Sequence, residues 1–319
     1  MKELKVGFIG AGGRARSAHY PTVPRLEGVR LEAVAEMDEA RMNEVAGKYG
    51  IPNTFHCTAE KDHLRMLDEV ELDAVYVIMG PEFMAGPALD MLNAGKHVFI
   101  EKPPGGNLEE SQALLEAAQK NNVHCVVGFQ RRYAAVTREA MRLVNERGAA
   151  CMAMGEFHKH EGLDKDLSDS LWDDICHVVD TVRFMIGSEA EEVHAYQDAH
   201  ENGVRNSFNG LIRFANKAVG IITGQRASGG RYLRTELHGL GVSCYIRLPG
   251  DMEIYQDNSG PEPVTGAQIT GNDPADEASY GGILTMHQEF ADCIRSGETP
   301  SSDIRDAIKT SILVDRLSK

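Results

Sequence analysis

The sequence predicts an α/β fold in two parts: a doubly wound parallel sheet over residues 1–128, then an α+β domain over residues 129–319. Three observations carry this reading. Short apolar runs alternate with helix-period segments as far as Phe129, which implies parallel strands with helices on both faces. Those runs are apolar throughout (Ala74-Val75-Tyr76-Val77-Ile78), as expected of strands buried on both sides. From Glu192 to Ile254 the pattern changes to period two with turn residues between runs, which reads as antiparallel hairpins.

Taken in order, Val6–Gly10 is a strand, followed by a glycine-rich turn and a helix towards Leu26. Leu31–Glu36 is the next strand and Asp38–Tyr49 a helix. Ala74–Met79 is a strand, then Phe83–Asn93 a helix with Gly95 as its cap. His97–Ile100 is a strand, Leu108–Asn121 a helix capped by Asn107 with Glu110 at the third position, and Cys125–Phe129 a strand. The second part starts with helix Ala134–Arg147 and strand Cys151–His158, then a polar loop and helix Leu171–Ile186 ended by Gly187. Strands follow at 194–196, 210–214, 219–223, 235–238 and 243–248, with turns at Ala215-Asn216-Lys217 and Gly229-Gly230. The Pro-, Gly- and Asn-rich stretch Asp257–Asp276 reads as an irregular loop, and helices 283–296 and 303–318 finish the chain.

Formal net charge is −15, which disfavours nucleic acid and anionic membrane surfaces, because both need a basic footprint. No apolar run approaches the ~20 residues of a membrane span. The six cysteines are irregularly spaced and form no Cys-x-x-Cys pair, so they read as reduced thiols, not a disulfide framework or zinc site. With no signal peptide visible, a cytoplasmic location is expected.

Gly10-Ala11-Gly12-Gly13-Arg14-Ala15 follows the first strand and opens a helix, matching G-x-G-x-x-G/A. Gly10 permits the tight turn and Gly12 lets a pyrophosphate approach the backbone. At the third position a small residue suffices, so Ala15 serves. N–H groups at the helix start hold phosphates. Glu36 ends the second strand, where an acid accepts hydrogen bonds from ribose hydroxyls and repels a 2′-phosphate. NAD is therefore favoured, with NADP left open by Arg14 and Arg41.

Glu101-Lys102-Pro103 closes an apolar strand at the edge where open α/β sheets bind ligands. A lysine there can exchange a proton near neutral pH once its surroundings lower its pKa. Glu101 would orient the loop, and Pro103 permits a cis peptide. On spacing alone, a surface lysine is the commoner fate. On helix 171–186, Asp173, His177 and Asp180 stand at i, i+4 and i+7, on one face. That stripe suits proton relay; by itself, an ion-pair cluster on a solvated helix is the commoner arrangement. His158 and His160 share a strand face and with His177 suggest a metal set; a polar strand end lining a cleft is the commoner arrangement, and no metal is expected.

Together these segments resemble the Gfo/Idh/MocA family, named for glucose–fructose oxidoreductase and inositol 2-dehydrogenase. The resemblance runs through Val6–Ala15, Ala33–Asp38, Val75–Pro81, Ala94–Pro103, Gly128–Tyr133, the D-x-x-x-H-x-x-D segment Asp173–Asp180, and Glu289–Pro300. It implies an N-terminal Rossmann dinucleotide-binding domain and a C-terminal α+β domain with an open, mostly antiparallel sheet that carries oligomer contacts, as in a homodimer or homotetramer. It implies an NAD(P)-dependent dehydrogenase acting on a secondary alcohol of a sugar, cyclitol or derivative. Lys102 and His177 would handle the proton, with Asp173 beside them. Gly10, Gly12, Gly13, Arg14, Ala15, Glu36, Pro81, Glu101, Lys102 and Gln130 would line the cofactor. Arg132, Tyr133, Trp172, Asp173 and His177 would face the substrate. Two other activities stay compatible: transient oxidation that enables elimination or glycosidic cleavage, and dinucleotide-responsive regulation without turnover. The chain departs from the family pattern in two places. No histidine follows the fourth strand (Pro81-Glu82-Phe83-Met84-Ala85), and Ser168-Asp169-Ser170-Leu171-Trp172 stands where a glycine pair is common.

Overall fold

The computed structural model describes residues 2–161, 170–199 and 205–319. The chain forms two units: Met1–Gly128 with Leu284–Lys309, and Phe129–Ile283 with Thr310–Lys319. The polar loop expected after His158, including Ser168-Asp169, lies largely outside the described residues.

The first unit is built on six parallel strands: β1 (Leu4–Ile9), β2 (Val29–Glu36), β3 (Asn53–His56), β4 (Ala74–Val77), β5 (His97–Ile100) and β6 (Cys125–Val127). Their order is β3-β2-β1-β4-β5-β6, the doubly wound arrangement with its switch point between β1 and β4. Register explains the core. Phe8 pairs with Tyr76, and Tyr76 with Phe99, so three aromatic rings form a column across β1, β4 and β5. Their centroids are 4.7 and 5.1 Å apart. Phe290 and His287, on helix Ile283–Ser296, close over it.

Two local expectations fail here. The helix after the glycine turn is broken into a π turn (Ala15–His19), a single α turn (Tyr20–Thr22) and a 3₁₀ turn (Val23–Arg25). Pro21 and Pro24 have no N–H to give the carbonyls of Ser17 and Tyr20, so one regular helix is impossible. Strand β3 and the short helical turns at 62–69 carried no sequence signal, because Asn-Thr-Phe-His offers a single apolar residue and no period.

Among the described residues the second unit holds eight strands: β7 (Met152–His160), β8 (Ala190–Ala199), β9 (Arg205–Phe214), β10 (Val219–Gln225), β11 (Ala227–Gly239), β12 (Val242–Arg247), β13 (Asp251–Gln256) and β14 (Ser259–Thr265). The order is β14-β13-β12-β11-β7-β10-β9-β8, antiparallel except for β7 beside β10. The irregular loop expected at 257–276 is instead an edge strand and a short helix, Gly266–Thr270, started by a Thr265–Gln268 capping box. An edge strand can carry Pro261 and Pro263 because one side of its backbone needs no partner. Gly229-Gly230 is not a turn but lies inside β11, where the register against β7 is irregular.

Helix Cys176–Ile186 packs on one face of this sheet. A Cβ on Gly155 would come within 2.9 Å of Val178, and one on Gly224 within 2.4 Å of Ile175, so glycine is what lets the helix approach. Ala153, Gly155 and Phe157 face the helix; Met154, Glu156, His158 and His160 take the opposite face. The alternation therefore separates His158 and His160 from the helix that carries His177.

Candidate active site

The sequence-derived candidates fall into both units. In the first, Gly10 leaves β1 with φ +100°, and a Cβ there would lie 2.4 Å from the Ile78 carbonyl oxygen. Only glycine fits that turn. Gly12 and Gly13 face open space, where a ligand backbone could approach. Helical geometry starts at Gly13, so the first-turn N–H groups have no carbonyl of their own helix to meet. A cavity of about 740 Å³ lies beside this turn, lined by Gly10, Gly12, Glu36, Met37, Met79 and Phe83 among others. Met37 and Phe83 are 70% and 63% exposed, large apolar side chains offered to the cavity instead of the core. Pro81 opens helix Pro81–Asn93, and its neighbours Gly80 and Glu82 line the same space. An open backbone cradle, a helix start and an acid at the end of β2 suit a dinucleotide.

Glu36 is almost buried and already employed. Its Oε2 accepts from Ala11 N–H (2.5 Å), and its Oε1 from Met37 and Asp38 N–H (both 2.9 Å). One acceptor position on Oε2 is left. The two arginines that could answer a 2′-phosphate are both paired: Arg14 Nε with Glu101 (2.7 Å) and Arg41 Nε with Asp38 (3.0 Å).

Glu101 is the hub of a buried network that the sequence did not reveal. Its Oε1 accepts from His19 Nε2–H (2.8 Å) and Arg14 Nε–H (2.7 Å), and its Oε2 from the Lys102 backbone N–H (3.1 Å). A carboxylate only accepts, so His19 carries its proton on Nε2, and its Nδ1 must accept from His287 Nε2–H (3.1 Å). Both histidines are fully buried. Burial pushes the pKa of His19 down against the pull of Glu101, and burial with the neighbouring His19 pushes that of His287 well down. Burial works to raise the Glu101 carboxyl, but the His19 hydrogen bond and the Arg14 charge outweigh it and hold it well below the usual range. Neutral imidazoles thus steady an ionised carboxylate, which fixes the backbone at Lys102. His19 and His287 lie far apart in sequence, and only the fold joins them.

In the second unit, Gln130, Arg132 and Tyr133 form a buried 3₁₀ turn. Arg132 is bidentate to Asp180 (2.7 and 2.5 Å), and Thr310 also donates to Asp180 (2.7 Å). Asp180 is fully buried, so it leaves the exposed stripe expected for it and becomes the anchor of that turn. Asp173 is exposed and Trp172 and His177 are half-buried. The first turn of their helix, Leu171–Ile175, is a π turn, a local unwinding that often accompanies functional side chains. Asp174 forms a short ion pair with Lys159 of β7. Arg226, directly after β10, is a further charged residue at this end of the helix. Its signal in the sequence was weak: a basic residue on the helix-facing parity of a strand end.

Comparison with known proteins decides the lineage. Residues 4–129 match the family model for an oxidoreductase family with an NAD-binding Rossmann fold, and residues 155–242 match the GFO/IDH/MocA C-terminal domain. A putative oxidoreductase, YceM, from Salmonella typhimurium is 30% identical over 99% of this chain and 98% of its own. The chain belongs to the Gfo/Idh/MocA family of NAD(P)-dependent oxidoreductases. Among its relatives, the scyllo-inositol 2-dehydrogenase (NAD(+)) of Bacillus subtilis is 25% identical over 93% of this chain and 88% of its own. A levoglucosan dehydrogenase solved with NADH and L-sorbose shares the fold, with a TM-score of 0.85 at 23% identity over 99% of this chain and 96% of its own. This Gfo/Idh/MocA chain thus has the fold class that its sequence predicts, a Rossmann-like parallel sheet and a second, open and mostly antiparallel sheet. Among the described residues, no helix is long and apolar enough to cross a membrane.

Proposed function

We propose that this family member oxidises a secondary alcohol of a sugar or cyclitol with NAD, with Lys102 and His177 handling the proton. The observation that carries the reading is the network at Glu101, in which Arg14, the buried His19 and His287 and the Lys102 backbone N–H fix the residue before Lys102. Bound over the glycine turn, a nicotinamide dinucleotide supplies the hydride acceptor. Gly10, Gly12, Gly13 and Ala15 shape its cradle, and the remaining acceptor position of Glu36 takes a ribose hydroxyl. Met37 and Phe83 offer apolar surface to the base. Lys102 stabilises charge developing on the substrate oxygen. His177 takes the hydroxyl proton, with Asp173 as the acid near it. Arg132 acts through Asp180 to hold the turn that presents Gln130 and Tyr133, and Trp172 offers a ring face to the sugar.

Preference for NAD over NADP follows from Glu36 and from the pairing of Arg14 and Arg41. A cytoplasmic location fits six free cysteines. Self-association is assigned to the sheet face turned away from helix Cys176–Ile186, where Tyr196, Leu211, Tyr232 and Tyr255 are exposed. The test follows absorbance of NADH while inositols, D-xylose, levoglucosan and sugar acids are offered with NAD or NADP. Turnover of at least one compound, faster with NAD, is expected; binding of dinucleotide without turnover across the panel sinks the reading.

A further inference from the structure

Two arginines of the second unit, Arg132 and Arg226, are fully buried, and they are treated differently. Arg132 is fully buried with two nitrogens on Asp180. Arg226 is 1% exposed, yet among the described residues Nε, Nη1 and Nη2 all lack a hydrogen-bond acceptor. Among the described residues the nearest carboxylate oxygen, Asp174 Oδ2, is 3.9 Å from Nη1, beyond hydrogen-bond reach. Asp174 is moreover committed to Lys159, and Lys159 also lies 3.4 Å from Glu161. The guanidinium sits over the Phe157 ring at 4.9 Å, which satisfies its flat face and leaves its in-plane N–H groups unmet. Burial pushes the arginine's pKa down, opposed by Asp174, Glu161 and Asp173. A charged donor kept dry without a hydrogen-bond acceptor, its nearest described carboxylate held by Lys159, is a standing cost to the fold that a ligand supplying the acceptors would relieve.

Its place says which ligand. Gln225 belongs to the open face of β10, so Arg226 takes the face that bears Phe157 and the helix. It closes the carboxyl end of the parallel pair β7–β10, beside the Asp173–Asp174 turn that leads into His177. A guanidinium fork matches two oxygens held side by side.

We propose that Arg226 recognises the substrate by donating two parallel N–H bonds to a pair of adjacent oxygens, either vicinal hydroxyls of a polyol ring or the carboxylate of a sugar acid. This rests on the redox reading above, since the oxygens belong to the molecule oxidised at His177. Hydroxyl acceptors must also place their own protons, and the exposed carboxylate of Asp173, at the same turn, is the acceptor at hand.

The experiment compares the full chain with its Arg226→Met and Arg226→Lys variants. Initial rates are read from NADH with scyllo-inositol, myo-inositol, D-xylose, levoglucosan, D-gluconate and D-glucuronate. Dinucleotide affinity and the Tm of the ligand-free protein are measured beside them. In Arg226→Met, KM for the preferred compound should rise about 30-fold with kcat within about fivefold and NAD affinity within about twofold, the pattern of lost uniform binding. Tm should stay level or rise, because an unsatisfied buried cation has gone. Arg226→Lys should fall between, having the charge without the fork. Loss confined to gluconate and glucuronate identifies the carboxylate; loss on ring polyols, matched in the native chain by a substrate lacking one hydroxyl of the pair, identifies the diol. An unchanged KM together with a Tm lowered in both variants makes Arg226 structural and overturns the proposal. If no panel compound is turned over, the redox reading fails separately. Arg226 is then judged by the thermal upshift that these compounds give the NADH-bound protein, which Arg226→Met must abolish.

Discussion

The first unit and the Arg226 site of the second handle buried charge in opposite ways. In the first, the carboxylates of Glu36 and Glu101 are each surrounded by donors: three backbone N–H groups for one, and His19, Arg14 and a backbone N–H for the other. In the second, Arg226 is just as dry, and among the described residues none of its three nitrogens meets a hydrogen-bond acceptor. A carboxylate that most of its donors already meet before any ligand arrives serves stability and geometry together. A site with unmet donors gives up stability for recognition. The difference teaches where to expect a mutation to unfold the protein and where to expect it only to blunt binding.

The sharpest contrast should come from the residue that the saturated network presents. Lys102→Met leaves Glu101 and its partners in place, so fold and dinucleotide affinity should hold while kcat falls about 10²–10⁴-fold, the range of a lost proton-handling group. Stopped-flow binding and steady-state rates separate the two. Full turnover in that variant would remove Lys102 from the chemistry.

Next in size is the hub itself. Glu101→Ala leaves His19 and Arg14 without their acceptor and should cost about 3–5 kcal/mol, read as a shift of the urea midpoint at constant m. Glu101→Gln keeps the shape and one acceptor oxygen, so it should lose less stability but still slow turnover, by about tenfold if the charge steadies Lys102. If Glu101→Ala were as stable as the parent, the contrast between the two units would collapse.

These cases also mark how far the sequence could be read. The glycine turn, Glu36, the Glu-Lys-Pro strand end and the Asp173–His177 helix were legible because each is a local pattern: a turn, a strand end, a spacing of four. The parallel sheet was legible because apolar runs repeat. What escaped is what depends on distant pairing. His19 and His287 are 268 positions apart and meet only because helix Ile283–Ser296 closes over the Phe8–Tyr76–Phe99 column. Arg132 read as a substrate ligand by motif, but the fold gives its fork to Asp180, a residue that spacing alone had set on the same stripe as His177. Edge strand β14 escaped because its prolines signal a loop, and only the neighbour β13 makes them tolerable.

A smaller effect tests the cofactor end. Glu36→Ala removes the acid that excludes a 2′-phosphate and frees three N–H groups at the turn. The ratio of kcat/KM for NADP over NAD should rise by about tenfold or more, mostly through the KM of NADP. A ratio that stays put would mean that Arg14 and Arg41, not Glu36, set the preference.

The smallest effect is on stability against pH, and it too belongs to the saturated unit. Burial, helped by the neighbouring His124, pushes the pKa of His97 from its ordinary 6.5 to about 4. His19 and His287 are lowered as well, chiefly by burial. For each, the unfolded chain takes up a proton as pH falls through 6.5 while the folded chain does not. Stability is therefore fully present above that pH and is lost on the way down, for His97 between 6.5 and about 4. Glu101 adds in the same sense, since its depressed carboxyl loses stability as pH falls through the ordinary carboxylate range. Tm should thus be level above neutrality and fall by about 5 °C or more towards pH 5, with little response to salt because the groups are sheltered. His97→Asn keeps an acceptor for the His124 N–H that Nδ1 now receives at 3.1 Å, and should flatten part of the acid slope without changing Tm at pH 8. An acid slope identical in that variant would move the whole effect to the His19–Glu101–His287 network.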